Sequence, residues 1–281
     1  MIEATNSFSP SVNIERDLNK DFRYIVTKNS QQIYQSLIKN VDSGTHAFTI
    51  IGSYGTGKSS FLIALRKNLI NEIPIFQPVN GEFDNINGFE FDYLVGKYES
   101  ITEQLKTYFG LKKEDSVDLI LHEIDKKHNQ LKKEGKFWLF VIDEFGKNLE
   151  YSAKKNPDED LYFIQQFAEY VNEKEKNVIF ITTLHQAFDS YAYGLDIQQR
   201  KEWDKVRGRF KELTFNEPVE QLLFIVSEYL KESDTEIPSD KFFDEYLSLI
   251  KKSKVFPLQN ELNTLLFKNI FPIEPLAAAT L

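Results

Sequence analysis

The sequence predicts a parallel α/β sheet followed by a helical appendage, and three observations carry that prediction. Short apolar runs, HAFTIIG (46–52), KFWLFVIDEF (136–145) and NVIFITTL (177–184), alternate with stretches whose apolar residues recur at helical spacing. Runs that are apolar throughout belong to strands covered on both faces, which is the condition of a parallel sheet. The first run passes through a glycine-rich turn, GSYGTGKSS (52–60), directly into an amphipathic helix. Beyond Pro218 the strand-like runs stop and only helical patterns remain.

Composition bounds what such a chain can be. Its 281 residues can bury one large core or two modest ones, and 41% of them are hydrophobic. No apolar run approaches the ~18 residues that span a bilayer. The start, MIEATNSFSPSVNIERDLNKD, lacks the basic stretch and apolar centre of a signal peptide and reads as a partly ordered polar arm. With no cysteine, disulfides and thiolate metal sites are excluded, and a cytoplasmic location is the expectation. A net charge of −9 argues against a broadly cationic nucleic-acid surface. Arginine is scarce, and three of the six (Arg200, Arg207, Arg209) fall within ten residues. That clustering matters because arginine reads phosphate with two parallel hydrogen bonds.

Element by element, Asn29–Val41 reads as a helix ending at Ser43-Gly44, and Ser59–Ile70 as another with Phe61, Leu62, Leu65 and Leu69 inward. IPIFQPVN (73–80) is expected to be a second strand, near a sheet edge because Pro78 cannot donate to a ladder. Phe89–Phe109 contains a helix. Ser116–Lys133 is a longer one, with Lys126, Lys127, Lys132 and Lys133 toward water. KKNPDED (154–160) reads as a solvated loop, Leu161–Asn172 and 185–206 as helical, and RGRFKELTF (207–215) as the last strand. Three helical segments follow at 219–230, 240–252 and 258–270. The organisation expected is an N-terminal arm (1–22), an α/β core (23–216) and a helical part (217–281). The apolar, proline-punctuated ending NIFPIEPLAAATL suggests the first piece of a longer protein.

The glycine-rich turn has the spacing G-x-x-x-x-G-K-[ST]. Gly52, Gly55 and Gly57 let several backbone N–H groups converge on one anion, with Ser53, Tyr54 and Thr56 between them and Ser60 just beyond. The helix starting near Lys58 adds its positive end. Lys58 would reach the β- and γ-phosphates, and the Ser59 hydroxyl would ligate Mg²⁺. Asp143 and Glu144 end the most apolar strand. Asp143 would hold Mg²⁺ and Glu144 would polarise the attacking water, so hydrolysis rather than binding of ATP rests on Glu144. Either Thr182 or Thr183 can bring a hydroxyl to the γ-phosphate if its strand lies between the other two. Arg207 or Arg209 can present a guanidinium to the γ-phosphate of a neighbouring subunit, or pair locally with acids such as Asp204 or Glu212.

Other candidates are weaker. The four histidines have no metal-ligand spacing; His122 and His128 read as surface residues of a charged helix, and His185 is a candidate to face the site. Tyr54 has no required role, and shielding the nucleotide or meeting a partner are both open.

On these residues the chain resembles the AAA+/STAND group of P-loop ATPases from about Arg23 to Ile270. GSYGTGKSS resembles the Walker A motif, VIDEF the Walker B motif, ITTL the sensor 1 strand and RGRF the arginine-finger box, which favours Arg209. DFRYIVTKN resembles the linker lining an adenine pocket, with Tyr24 and Ile25 as candidates, and the helices after Pro218 correspond to the lid. The resemblance implies a five-stranded sheet in the order 5-1-4-3-2, ATP and Mg²⁺ as ligands, and self-association through the ATPase face. A narrower likeness, LHQAFDSYAYGLDIQQRKEWDKVRGRFKEL, is to large bacterial ATPases of anti-phage defence systems, including the BREX type. There the ATPase module opens a longer chain, so further domains or protein partners are implied. One departure stands out: AAA+ lids commonly carry a sensor 2 arginine, yet no arginine follows Arg209, leaving Lys252 or Lys254 as substitutes. A DNA-linked initiator or loader and a slowly hydrolysing, nucleotide-gated scaffold use the same motifs. DNA is a possible partner, though no winged-helix pattern or concentrated basic patch is evident. A small-molecule kinase fits less well, because no acceptor site can be named.

Overall fold

A computed structural model describes residues 12–20, 23–79, 83, 86–193, 195–230 and 238–278. Much of the expected polar arm (1–11, 21 and 22) and the last three residues lie outside the described residues. The chain forms two compact units, one from the residues up to Tyr24 with Gln31–Phe215, the other from Ile25–Ser30 with Asn216 onward.

The first unit is built on a parallel sheet of five strands: β1 (Ala47–Ile51), β2 (Gly88–Val95), β3 (Lys136–Asp143), β4 (Val178–Leu184) and β5 (Lys211–Thr214), in the order β2-β3-β4-β1-β5. Read from the other edge, this is the expected 5-1-4-3-2. β1, β3 and β4 are buried almost throughout, as their unbroken apolar sequences require. Trp138, Phe140, Phe167 and Phe180 dominate the packing on one face.

The second strand is not where the sequence placed it. The described part of 73–80 is irregular, because Pro74 and Pro78 remove two ladder donors, and β2 runs instead over Gly88–Val95. Its alternation of Phe89, Phe91 and Tyr93 with Glu90 and Asp92 is the period-2 pattern of a half-covered edge strand.

Helices α1 (Ile14–Asp17), α2 (Lys28–Asp42), α3 (Lys58–Leu69), α4 (Ile101–Phe109), α5 (Val117–Lys133), α6 (Gly146–Lys155), α7 (Pro157–Val171) and α8 (Ile197–Arg207) complete this part of the chain. The expected loop at 154–160 is mostly helix: α6 ends at Lys155 and α7 starts at once, with Pro157 in the first turn, where its missing N–H costs nothing. The final strand is shorter than expected, since Arg207 still belongs to α8. His128 is not a surface residue. It continues the buried stripe of Ile120, Ile124 and Leu131, with Nδ1 against the Tyr170 hydroxyl at 3.1 Å and Nε2 accepting from Asn177 N at 3.2 Å. Burial, aided by Lys176 and Lys132, lowers its pKa to about 4. Lys127 also turns inward, onto Asp92 and the Trp138 ring.

The second unit contains α9 (Val219–Leu230), α10 (Asp240–Ser253), α11 (Thr264–Ile270) and α12 (Pro275–Ala278), closed around Leu223, Phe243, Ile250, Phe267 and Ile270. Buried Glu220 accepts the Leu258 N–H at 2.6 Å and ties a connecting turn to α9. Among the described residues no helix is long and apolar enough to cross a membrane.

Candidate nucleotide site

The loop Gly52–Gly57 leaves the C-terminal end of β1 and enters α3. Gly55 and Gly57 have φ of +77° and +94°, the left-handed region that glycine occupies without steric cost. A side chain at Gly52 would run into the Phe215 carbonyl, so only glycine fits there. Gly52 N donates to Leu184 O at 3.1 Å, which fastens the loop to the end of β4. Thr56 Oγ1 closes the loop on Ser53 O at 2.9 Å. Lys58 is buried, and its Nζ donates to Gly52 O at 2.5 Å and Ser53 O at 2.7 Å. Burial lowers the Lys58 pKa, while Asp143 and Glu144 act to raise it.

Strand register brings the acids to this loop. β4 lies between β1 and β3, pairing Ile50 with Thr183 on one side and Ile142 with Thr182 on the other. Asp143 is thereby bracketed: Ser59 Oγ donates to Oδ2 at 2.7 Å and Thr183 Oγ1 to Oδ1 at 2.6 Å. The neighbouring Thr182 points the opposite way, bonding Thr49 Oγ1 at 2.9 Å inside the sheet. Glu144 N donates to Thr183 Oγ1 at 2.8 Å, and Glu144 has φ of +56°. That conformation costs a non-glycine residue ~1 kcal/mol, and it turns the carboxylate off the strand axis. The carboxylate forms an ion pair with Lys147, three residues on at the start of α6.

Sequence reasoning missed Lys147, because nothing in FGKNLEY marked a helix beginning straight after the acids. His185 does face this region. Its ring stacks on Tyr54, with centroids 3.4 Å apart and planes at 19°. Burial lowers its pKa, and the charges of Lys58, Glu144, Asp143 and Lys147 act on it as well.

Tyr24 packs edge-on against Phe76, in an aromatic row that continues through Phe61 and Phe215 to the base of the loop at Gly57. Ile25 belongs to the second unit. Lys252 and Lys254 also lie there, at the end of α10 and just past it. Ser60 lies in the first turn of α3 beside Ser59.

Arg209 lies toward the other end of the sheet. β5 runs parallel to β1, with Lys211 opposite Phe48, so Arg209 sits where β1 begins, roughly 16 Å of strand away from the loop. Arg209 pairs with Glu169 at 2.7 Å, and Arg207 pairs with Asp189 at 2.5 Å and Glu212 at 3.1 Å.

Among the described residues no cluster of three His, Cys, Asp or Glu could hold a metal unaided. The Ser59 hydroxyl and Asp143 carboxylate are hard oxygen donors, suited to Mg²⁺, which takes one or two protein oxygens and completes its shell from phosphate and water.

No protein-family model matches the chain, and no curated protein matches it. Solved structures do. The ORC2 protein of Aeropyrum pernix, described in ADPNP-ADP complexes, matches with a TM-score of 0.50 and 16% identity over 83% of this chain and 58% of that one. Cdc6p from Pyrobaculum aerophilum gives 0.42 and 17%, covering 76% and 52%. AMPPCP-bound DnaA from Aquifex aeolicus gives 0.41 and 15%, covering 83% and 64%. The chain thus spans little more than half the length of the first of these. At such identities the likeness to the ORC2 protein concerns the fold, and the chain has the five-stranded α/β fold that the AAA+ resemblance implies.

Proposed function

We propose that this chain is an ATP-binding and ATP-hydrolysing module, a motor or a switch, working at Gly52–Ser59 with Asp143, Glu144 and Thr183. The observation that carries the reading is the hydrogen-bonded row Ser59–Asp143–Thr183 at the mouth of the loop, drawn from a helix and two strands distant in sequence. In this reading the loop amides and the α3 terminus hold the phosphates, and Lys58 exchanges the Gly52 and Ser53 carbonyls for phosphate oxygens. Ser59 and Asp143 would hold Mg²⁺, which supplies charge neutralisation on the phosphate oxygens. Glu144 leaves Lys147 and accepts a proton from the attacking water, and Thr183 holds the Asp143 and Glu144 segment in register.

The distance of Arg209 from its own loop is what supports a role at the site of a second copy, and with it self-association as part of the cycle; the local alternative is its ion pair with Glu169. The test is turnover as a function of protein concentration. Specific activity rises with concentration in the wild type, and Arg209→Ala binds ATP normally but turns over at least tenfold more slowly. Concentration-independent turnover with an active Arg209→Ala protein would remove the second copy from the reading.

A slowly hydrolysing scaffold is favoured by one observation, the ion pair that occupies Glu144 with Lys147. The absence of any arginine after Arg209 points the same way. An initiator or loader role draws support from the fold likeness alone. Anti-phage defence rests on the sequence likeness of 184–213, with no support from the structural comparisons.

A further inference from the structure

Glu144 holds a left-handed backbone, and on the side away from Thr183 it meets the end of β2. The pairing of β2 with β3 runs through Val95 and Asp143, and one residue on, Gly96 N donates to Asp143 O at 2.6 Å. A Cβ on Gly96 would fall 2.4 Å from Glu144 O and 2.7 Å from Asn148 Oδ1, so this glycine lies flush against the Glu144 carbonyl. In packing that close, a shift of the segment after Val95 is passed on to Glu144.

Two buried amides fix that segment. Gln104 on α4 donates through Nε2 to Val95 O at 2.7 Å. Asn148 on α6 donates through Nδ2 to Glu99 O and to Gln104 Oε1, both at 3.0 Å. The pair therefore clamps residues 95–99 at both ends, from a position four residues past Glu144. Asn148 is fully buried, yet its Oδ1 has no hydrogen-bond partner among the described residues. An unpaired buried amide oxygen costs stability, and an apolar pair of the same shape would avoid that cost. Packing alone does not account for an amide here.

We propose that Asn148 and Gln104 are positioning residues for hydrolysis: by pinning residues 95–99 against Glu144, they hold its backbone in the conformation that aims the carboxylate at the attacking water. They act through Glu144 and not on the nucleotide, so they govern turnover and leave binding alone. This inference rests on the reading of Glu144 as the base of an ATP site, and the test separates the two.

The experiment measures, on the whole chain, kcat for Mg-ATP and the calorimetric affinity for a Mg-bound non-hydrolysable ATP analogue. Asn148→Ala and Gln104→Leu each lower kcat about tenfold and leave the analogue within about twofold, which is itself the control for folding. Gly96→Ala, which pushes on the Glu144 carbonyl from the same side, gives the same split. A double-mutant cycle supplies the readout that a merely structural role would not move. Asn148→Ala slows the wild type but adds no further loss to Glu144→Gln, because it acts only through that carboxylate. Three results would overturn the inference while leaving the ATP site intact: wild-type kcat in Asn148→Ala, the full tenfold loss repeated in the Glu144→Gln background, or analogue affinity falling in step with kcat. Wild type that binds no nucleotide, or whose turnover is untouched by Glu144→Gln, would overturn the site reading and this inference with it.

Discussion

The two ends of the central sheet are built on opposite principles. At the C-terminal end, side chains from α3, β3 and β4 converge on one carboxylate, Asp143, and the hydroxyls of Ser59 and Thr183 both point at it. At the N-terminal end, Arg209 extends into a half-exposed ion pair with Glu169, and Arg207 nearby in the chain pairs with Asp189 and Glu212. Convergent, largely buried oxygen donors are a ligand set suited to a hard cation. Exposed ion pairs contribute only about 0–1 kcal/mol each, so their arginines are easily surrendered to a stronger anion. In the proposed function the first end is the chain's own site and the second is what Arg209 would bring to the site of a second copy. Because β1 separates them, a single copy cannot bring them together.

Substitutions can break this contrast in a graded way. The largest effect is expected from Lys58→Ala, which removes the buried cation of the loop and, in the proposed function, should weaken ATP binding roughly 100-fold in a calorimetric titration. Thr182 and Thr183 give a sharper comparison, since adjacent residues of one strand have different duties. Thr183→Ala should lower turnover about tenfold by freeing Asp143 and the Glu144 amide. Thr182→Ala should leave turnover alone and cost about 1 kcal/mol in a denaturant melt, the net worth of its bond to Thr49. Lys147→Ala releases Glu144 from its ion pair and should leave turnover unchanged or raise it about two- to threefold, since a half-exposed pair holds weakly.

The remaining prediction lies away from both ends. His128 has its pKa lowered to about 4 by burial, so between that value and the ordinary 6.5 the unfolded chain binds the extra proton. Its contribution to stability is full above pH 6.5 and is lost as the pH falls toward 4, an effect of at most about 3 kcal/mol. Asp125 faces the ring and opposes the shift, while Lys176 and Lys132 reinforce it. Melting of His128→Gln across that range should show a shallower pH slope than wild type, and an identical slope would assign the effect elsewhere.

Much of the candidate site at the loop end is legible in the sequence because its residues lie close together in the chain. Gly52, Gly55, Gly57, Lys58 and Ser59 are consecutive enough for spacing to identify them, and Asp143-Glu144 closes a strand too apolar to be mistaken. What spacing could not decide was which threonine turns toward Asp143, because that depends on the register of β4 between two other strands. β2 was misplaced because IPIFQPVN is apolar but carries two prolines, while the true strand alternates aromatic and acidic residues and is covered on one face only. His128 was read as exposed for the converse reason. Its helix is heavily charged, and the i, i+4 relation to Ile124 was outweighed by the lysines around it. The Tyr54–His185 stack joins residues 131 positions apart, and no local pattern announces such a contact.

In the proposed function Glu144 drives hydrolysis at a loop that binds Mg-ATP without it. The most direct measurement is the nucleotide recovered from wild type and from Glu144→Gln after incubation with Mg-ATP and rapid removal of free ligand. Bound ADP is expected in the wild type and bound ATP in the variant, with phosphate release slowed by about 100-fold or more. The same nucleotide in both proteins, with phosphate released at equal rates, would contradict it.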